Sequence, residues 1–199
     1  MRRKDLDAAE VRVLGCLVEK QRTTPDAYPL TLNALRLACN QATNRSPVVD
    51  YDDVTVRAAA ERLARRRLAR FASGHSSRAA KYRQLLGEEL GLASDELALL
   101  ALLMLRGPQT PGELKARAER LHSFDGADEL YEALGRLVER ELVAGIGRRP
   151  GQKEERYAHR LSEDRDEEDS GPHDEPDSLE QRVARLEREV AELRRELSA

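Results

Sequence analysis

The chain begins with apolar residues that recur every three or four positions, which is the spacing of one face of an α-helix. In residues 6–21 these positions are Leu6, Val11, Leu14, Leu17 and Val18. Asp7 and Glu10 are suited to the first turn of such a helix, where acidic side chains meet free backbone N–H groups. The pattern predicts an amphipathic helix that buries its apolar side.

Two more helices and a hairpin are predicted next. Thr31 can cap a second apolar stripe, and Asp52 or Asp53 can cap a third that runs to about Arg67. Residues 68–85 then contain short apolar runs on both sides of a turn rich in Gly and Ser, which is typical of a β-hairpin. Three helices followed by a hairpin are the element order of a winged helix-turn-helix domain.

The same order of elements recurs further along the chain. Its second helix has a strong start signal, because Thr110 can act as cap, Pro111 occupies the first helical position and Glu113 can close a capping box. The sequence therefore predicts a mainly α fold with small β-hairpins. We expect two tandem winged helix-turn-helix domains, over residues 1–86 and 87–161.

An acidic segment separates these domains from the end of the chain. Residues 162–178 are rich in Asp and Glu and contain no apolar residue to bury, so we expect a disordered linker. An alternative role is competition, in which this acidic linker occupies a basic surface of the same protein.

Residues 179–199 return to a helical pattern, with leucine at the d positions of a heptad and mainly valine at the a positions. This combination favours a parallel two-stranded coiled coil and therefore a homodimer. The alternative is a single amphipathic helix docked on its own chain, and the second domain is another candidate for the dimer contact. The predicted dimerisation residues are Leu179, Val183, Leu186, Val190, Leu193 and Leu197.

Charge is distributed unevenly along a chain whose formal net charge is -3. Residues 1–86 carry 17 Lys and Arg against 9 Asp and Glu, residues 87–161 carry 11 against 14, and residues 162–199 carry 6 against 14. A basic first domain followed by acidic segments indicates a polyanionic partner for the first domain only.

The third predicted helix concentrates that positive charge on the side opposite its valines, alanines and leucine. In a winged helix this side is available to the major groove of DNA, and the following hairpin can reach phosphates beside it. The corresponding helix of the second domain is mainly acidic and should repel phosphate. The predicted DNA-binding residues are Asn44, Arg45, Thr55, Arg57, Ala58, Arg62, Arg65, Arg66, Arg78 and Lys81.

Other function classes find little support in the sequence. No apolar run is long enough to span a membrane and no signal peptide is recognisable, so we expect a cytoplasmic protein. Cys16 and Cys39 have no CxxC spacing and are expected to be reduced, buried thiols. The four histidines lack metal-ligand spacing, and we expect His159 on the hairpin surface. We therefore predict no enzyme activity, no cofactor and no metal.

Three stretches resemble the bacterial YceH-like family of uncharacterised proteins. They are "GCLVEKQRTTPDAYPLTLNALRLACNQATNRSPV" (residues 15–48), "LRGPQTPGELKARAERLHSF" (residues 105–124) and "RRPGQKEERYAHRL" (residues 148–161). The resemblance implies tandem winged-helix domains over about residues 6–161 and no settled biochemical activity. The first stretch is unusually polar, and its polar residues are Glu19, Lys20, Thr23, Thr24, Tyr28, Asn33, Asn40, Gln41, Asn44 and Arg45.

Two functions remain compatible with the sequence. The first is a DNA-binding protein, with transcriptional regulation as its candidate role, that presents the third helix and wing of its first domain. The second is a protein-interaction or scaffold module with no DNA binding. The polar signature divides them further, because its side chains either meet a partner or satisfy backbone groups of the chain itself.

Overall fold

Residues 6–72, 80–147 and 154–162 are described by a computed structural model of the chain. This part of the chain is mainly helical and contains two small antiparallel sheets, so the predicted mainly α class with β-hairpins is confirmed. The elements up to residue 84 are α1 (Ala8–Thr23), β1 (Leu30–Thr31), α2 (Leu32–Cys39), α3 (Asp53–Arg65), β2 (Ala69–Ala72) and β3 (Lys81–Gln84). Those that follow are α4 (Leu86–Leu90), α5 (Ser94–Arg106), α6 (Pro111–Ala118), α7 (Ala127–Glu139), β4 (Val143–Gly145) and β5 (Tyr157–His159).

Side-chain caps begin the helices where the sequence predicts them, since each satisfies a backbone N–H that lacks a helical partner. Asp7 and Glu10 form a complete capping box at α1. Thr31 accepts a hydrogen bond from the backbone of Ala34 at the start of α2. Two further predicted caps, those of α3 and α6, are Asp52 and Thr110.

The hairpins belong to sheets of different size. Strand β3 lies between β1 and β2, with Tyr82 opposite both Leu30 and Phe71, whereas β4 pairs only with β5. The order of three helices and a hairpin thus occurs twice in the described residues. Strand β1, the short helix α4 and a 3-10 turn at Pro25–Ala27 were not predicted.

One continuous core connects the two sets of elements through α1 and α5, the two most buried helices. They approach each other closely at Gly15, where an added Cβ would lie 2.9 Å from Leu105 Cγ and Cδ2. Leu105 is itself buried, so it has little room to move away. Met1–Arg165 accordingly form one compact unit, and the boundary predicted after residue 86 stays a prediction.

Backbone hydrogen bonds add to this core. Leu6 N donates to Leu161 O at 2.9 Å, and Ser46 N donates to Leu105 O at 2.9 Å. Both thiols, Cys16 and Cys39, are free and buried, in agreement with the sequence.

Replacing Gly15 by Ala should destabilise the protein, because the new methyl group would overlap Leu105. The matched control is Gly135→Ala in α7, where no atom lies within 4 Å of an added Cβ. Both changes raise the helix propensity by the same amount, so the difference between the two unfolding free energies reports the effect of close packing at Gly15. We expect Gly15→Ala to be less stable than Gly135→Ala by roughly 1–3 kcal/mol in urea unfolding. Equal unfolding midpoints would contradict the close approach of α1 and α5.

Candidate nucleic-acid interface

Helix α3 buries the side that the sequence assigns to the core. Its buried residues are Val56, Ala59, Ala60 and Leu63. The opposite side carries exposed Arg57 and Arg65, with half-buried Thr55 and Ala58. Arg57 and Arg65 are two helical turns apart, which is about 12 Å along the axis. They can therefore contact a ligand that extends along the helix.

Neither of these two guanidinium groups lies within 4.0 Å of a carboxylate among residues 6–72, 80–147 and 154–162. Arg57 lies beside Tyr82 of the neighbouring sheet. Burial raises the pKa of the Tyr82 hydroxyl, and the positive charge of Arg57 lowers it in part. The open positive charge of α3 thus adjoins the β2–β3 hairpin.

The outer face of that hairpin adds further basic residues. Arg70 of β2 is exposed, and Lys81 of β3 is half-exposed opposite Ala72. Arg83 shares this face but forms an ion pair with Glu88. Arg78 was predicted to bind DNA at the hairpin tip and lies outside the described residues.

Arg62 and Arg66 are paired with carboxylates of the chain, so they are not open in the way that Arg57 and Arg65 are, and their assignment as DNA contacts stays a prediction. Arg62 Nη2 lies 2.6 Å from Asp7 Oδ2, and the Nε atoms of both arginines lie 3.5 Å from Glu10 Oε1. Glu10 is buried within the capping box of α1. These two guanidinium groups therefore neutralise a buried carboxylate and attach the end of α3 to the start of α1.

The same arrangement occurs in the second set of elements. Arg136 of α7 pairs with Asp95 and places its Nε 3.5 Å from Glu96 Oε1, while Arg140 Nη1 lies 3.6 Å from Glu96 Oε2. Glu96 takes the position in α5 that Glu10 takes in α1, the third helical residue. We call this repeated arrangement the arginine clamp. In the sequence, this clamp is marked by two arginines four residues apart, just before each hairpin.

Arg45 is wrongly assigned to the surface, because it is buried and all five of its N–H groups are used within the chain. Its guanidinium holds the Glu19 carboxylate through bonds of 3.0 and 2.6 Å and the Gln41 side chain through one of 2.7 Å. Its other bonds go to the carbonyl groups of Ala38 and Asn44.

Burial disfavours both charges of the Arg45–Glu19 pair, yet the pairing outweighs it. Burial alone would raise the pKa of Glu19 and lower that of Arg45, but their mutual hydrogen bonds and charges lower the first pKa and raise the second. The pair therefore stays ionised, and it serves the connection between α2 and α3 rather than a ligand.

Other residues of the polar signature also bond within the chain. Asn40 donates to Tyr51 O at 2.8 Å and accepts from Tyr51 N at 2.9 Å. Asn44 is exposed at a positive φ of 62° and accepts a hydrogen bond from Arg106 of α5. Tyr28 Oη accepts from Gln84 N at 2.6 Å, and burial raises the pKa of that hydroxyl to about 12.

The sequence did not reveal a further structural arginine, Arg12 of α1. It is buried and donates to Cys39 O at 3.1 Å and to Pro47 O at 2.6 Å. Burial lowers its pKa. Since these contacts are long-range and the acceptors are backbone atoms, no local pattern of residue types could have predicted them.

His159 also differs from its prediction as a surface residue. It is half-buried in β5, its Nδ1 accepts a hydrogen bond from Leu161 N at 3.4 Å, and burial lowers its pKa to about 4. Across the described residues, no group of three or more His, Cys, Asp or Glu side chains could hold a metal ion. None of the helices in the described ranges has the length and apolar character to cross a membrane.

Comparisons with known proteins place the chain in a family. A family described as "Protein of unknown function, DUF480" matches residues 6–152, and the chain belongs to this family. A UPF0502 protein of Pelobacter propionicus is 47% identical over an alignment that covers 97% of this chain and 92% of the relative. The UPF0502 protein YceH of Salmonella newport is 43% identical over an alignment that covers 98% of this chain and 95% of the relative.

Removing the Arg45 side chain should mainly damage stability. Arg45→Ala leaves the half-buried carboxylate of Glu19 with Lys20, at 3.4 Å, as its ion-pair partner, so the loss should approach but not exceed the cost of about 3–5 kcal/mol that is typical of an unpaired buried charge. The control is Arg36→Ala on α2, whose ion pair with Asp53 is largely exposed and should contribute no more than about 1 kcal/mol. Chemical denaturation of the two variants measures both values. Similar losses for both would show that the Arg45 network has no special weight.

His159 should make stability fall on mild acidification. Its pKa is about 4 in the folded protein against a usual value of 6.5. The unfolded chain therefore takes up the proton first as the pH falls below 6.5, which stabilises the unfolded state. We expect the wild type to lose more unfolding free energy between pH 7 and pH 5 than His159→Gln. Parallel pH profiles of the two proteins would contradict a buried neutral imidazole.

Proposed function

We propose that this is a DNA-binding protein built on two winged helix-turn-helix units, and that α3 with the β2–β3 hairpin of the first unit is its DNA surface. The observation that carries the proposal is the pair of exposed arginines, Arg57 and Arg65, which have no carboxylate partner in the described part of the chain. Arginines left open on one helix face attract a polyanion and can also bridge to guanine in a major groove.

Apolar side chains on the same face of α3 favour binding in the major groove of DNA over contact with the phosphates alone. Val54 is exposed at the start of α3, and Ala58 lies one turn further along. Their methyl groups can meet the methyl group of thymine between the arginine contacts. The basic outer face of the hairpin, with Arg70 and Lys81, would then reach phosphates beside the groove.

The contrast with α7 supports the same division of roles. Four exposed residues of α7 that lie outside the clamp are Asp128, Tyr131, Glu132 and Glu139. The arginines of α7, by contrast, belong to the clamp. Equivalent arginines in α3 are likewise in the clamp, so the extra open arginines of α3 are not required by the fold.

The proposal includes a homodimer in the cytoplasm and needs no catalysis and no cofactor. The candidate dimer contacts are the heptad segment from Leu179 to Leu197, which lies outside the described residues, and the second set of elements. A dimer would present two copies of α3 to neighbouring turns of a duplex. The competing proposal is a protein-interaction module without DNA binding, and the exposed apolar face of α7 is the observation that favours it.

Binding of the full chain to random-sequence duplex DNA at about 50 mM salt tests the proposal, because non-specific phosphate contacts are strong there. The wild type should bind, and its affinity should fall steeply as salt is raised. Neutralising both open arginines in Arg57→Gln/Arg65→Gln should weaken binding at least tenfold. It should also reduce the slope of log K against log salt by about 2 for each copy of α3 that meets the duplex, one unit for each guanidinium that no longer meets a phosphate.

The matched control is Lys115→Gln/Arg120→Gln, which removes the same charge from exposed positions in the second set of elements. This variant should bind as the wild type does. Failure of the wild type to bind at low salt would overturn the proposal. An equal loss in both double variants would also overturn it, since net charge alone would then explain binding.

A further inference from the structure

Helix α7 exposes an apolar stripe on the side that corresponds to the arginine side of α3. Tyr131 is 49% exposed and Val138 is 40% exposed, and Gly135 lies between them on the same side of the helix. We call Tyr131, Gly135 and Val138 the α7 stripe.

Gly135 has no function in the packing of the described residues. A Cβ added there would meet no atom within 4 Å, and the residue does not adopt a positive φ. Glycine in the middle of a helix costs stability relative to alanine. A flat notch between two apolar side chains is, however, suited to the close approach of another helix.

Charge indicates which surface fits this stripe. Asp128, Glu132 and Glu139 are exposed along one side of it. Two identical α7 helices would therefore place acidic side chains against acidic side chains. A complementary surface must combine apolar groups with positive charge.

The exposed face of α3 has this combination. Val54 is 74% exposed, and Arg57 and Arg65 lie on the same side of the helix. Leu37 of α2 is 55% exposed, and the 2.9 Å contact between Arg36 and Asp53 brings its helix to the start of α3. Glu61 lies between the two arginines, so the described α3 face carries two basic groups and one acidic group beside its apolar side chains. Its excess of positive charge and its apolar groups thus match the acidic and apolar groups on α7.

We propose that the α7 stripe of one copy of this protein binds the α3 face of a second copy. Two such contacts related by a two-fold axis would close the pair, since each copy offers both surfaces. The contact covers the face of α3 that is proposed for DNA, so the two occupants exclude each other. The self-association does not itself require that DNA binds.

Disulfide trapping between two variants of the full chain tests the contact directly. Ala58→Cys places a thiol on the α3 face, and Gly135→Cys places one in the α7 stripe. Under a mild oxidant, the mixture should form the mixed disulfide at least tenfold faster than a mixture of Gly135→Cys with Arg120→Cys, which is exposed beyond α6. Equal rates would overturn the proposal, and so would a predominance of the Gly135→Cys homodimer.

Charge reversal provides the second measurement. Adding Arg57→Glu/Arg65→Glu to the Ala58→Cys chain should slow the trapping at least tenfold. Adding Asp128→Arg/Glu139→Arg to the Gly135→Cys chain should then restore the rate, whichever direction the two helices take. A rate that reversal does not lower, or that the second reversal does not restore, contradicts charge pairing across this interface. Since no DNA is present, either result leaves the DNA proposal to its own test.

Discussion

The close crossing of α1 and α5 at Gly15 is the constraint on which the arrangement of this protein depends. Each of these helices is the first of a set of three, and each is buried on nearly all sides. Because Leu105 occupies the space that a side chain at residue 15 would need, the two helices lie against each other without intervening groups. The third helices are then fixed indirectly, since α3 packs on α1 and α7 packs on α5.

The arginine clamp attaches α3 to α1 and α7 to α5. At the start of α1 and of α5, the glutamate at the third helical position accepts a hydrogen bond from a backbone N–H, from Asp7 N to Glu10 and from Ala93 N to Glu96. Burial of that carboxylate then requires positive charge nearby, since an isolated buried charge is costly. Arg62 and Arg66 supply it in one set, and Arg136 and Arg140 in the other. A capping motif of the first helix therefore determines two arginines of the third.

The sequence predicted the elements well because their signals are local. Spacing of apolar residues located the helices, and Thr31, Asp52 and Thr110 gave their starts. It predicted the site less well, because counting arginines on a helix face cannot tell an open guanidinium from one paired with a distant carboxylate. Arg62 and Asp7 are 55 residues apart, and only the folded chain brings them together.

Arg45 is a second residue whose role could not be predicted from the sequence alone. Its polar neighbours in the sequence are consistent with a ligand surface, yet they are the groups that allow a charged side chain to be buried. Comparison of the two sets of elements would have been the better guide for α3. An arginine with a counterpart at the equivalent position of an acidic helix serves the fold, whereas one without a counterpart is free to serve a partner.

That distinction also bears on how one architecture came to carry two different surfaces. The clamp and the buried apolar side occupy the same positions in α3 and α7, so the fold constrains only part of each helix. The remaining exposed positions can change without loss of stability, because surface substitutions away from buried charges have small effects. In α3 they hold Arg57 and Arg65, and in α7 they hold Tyr131 and Glu139. The fold therefore does not determine the opposite charges on these equivalent faces of α3 and α7. Any difference in function between the two sets of elements must come from these exposed residues.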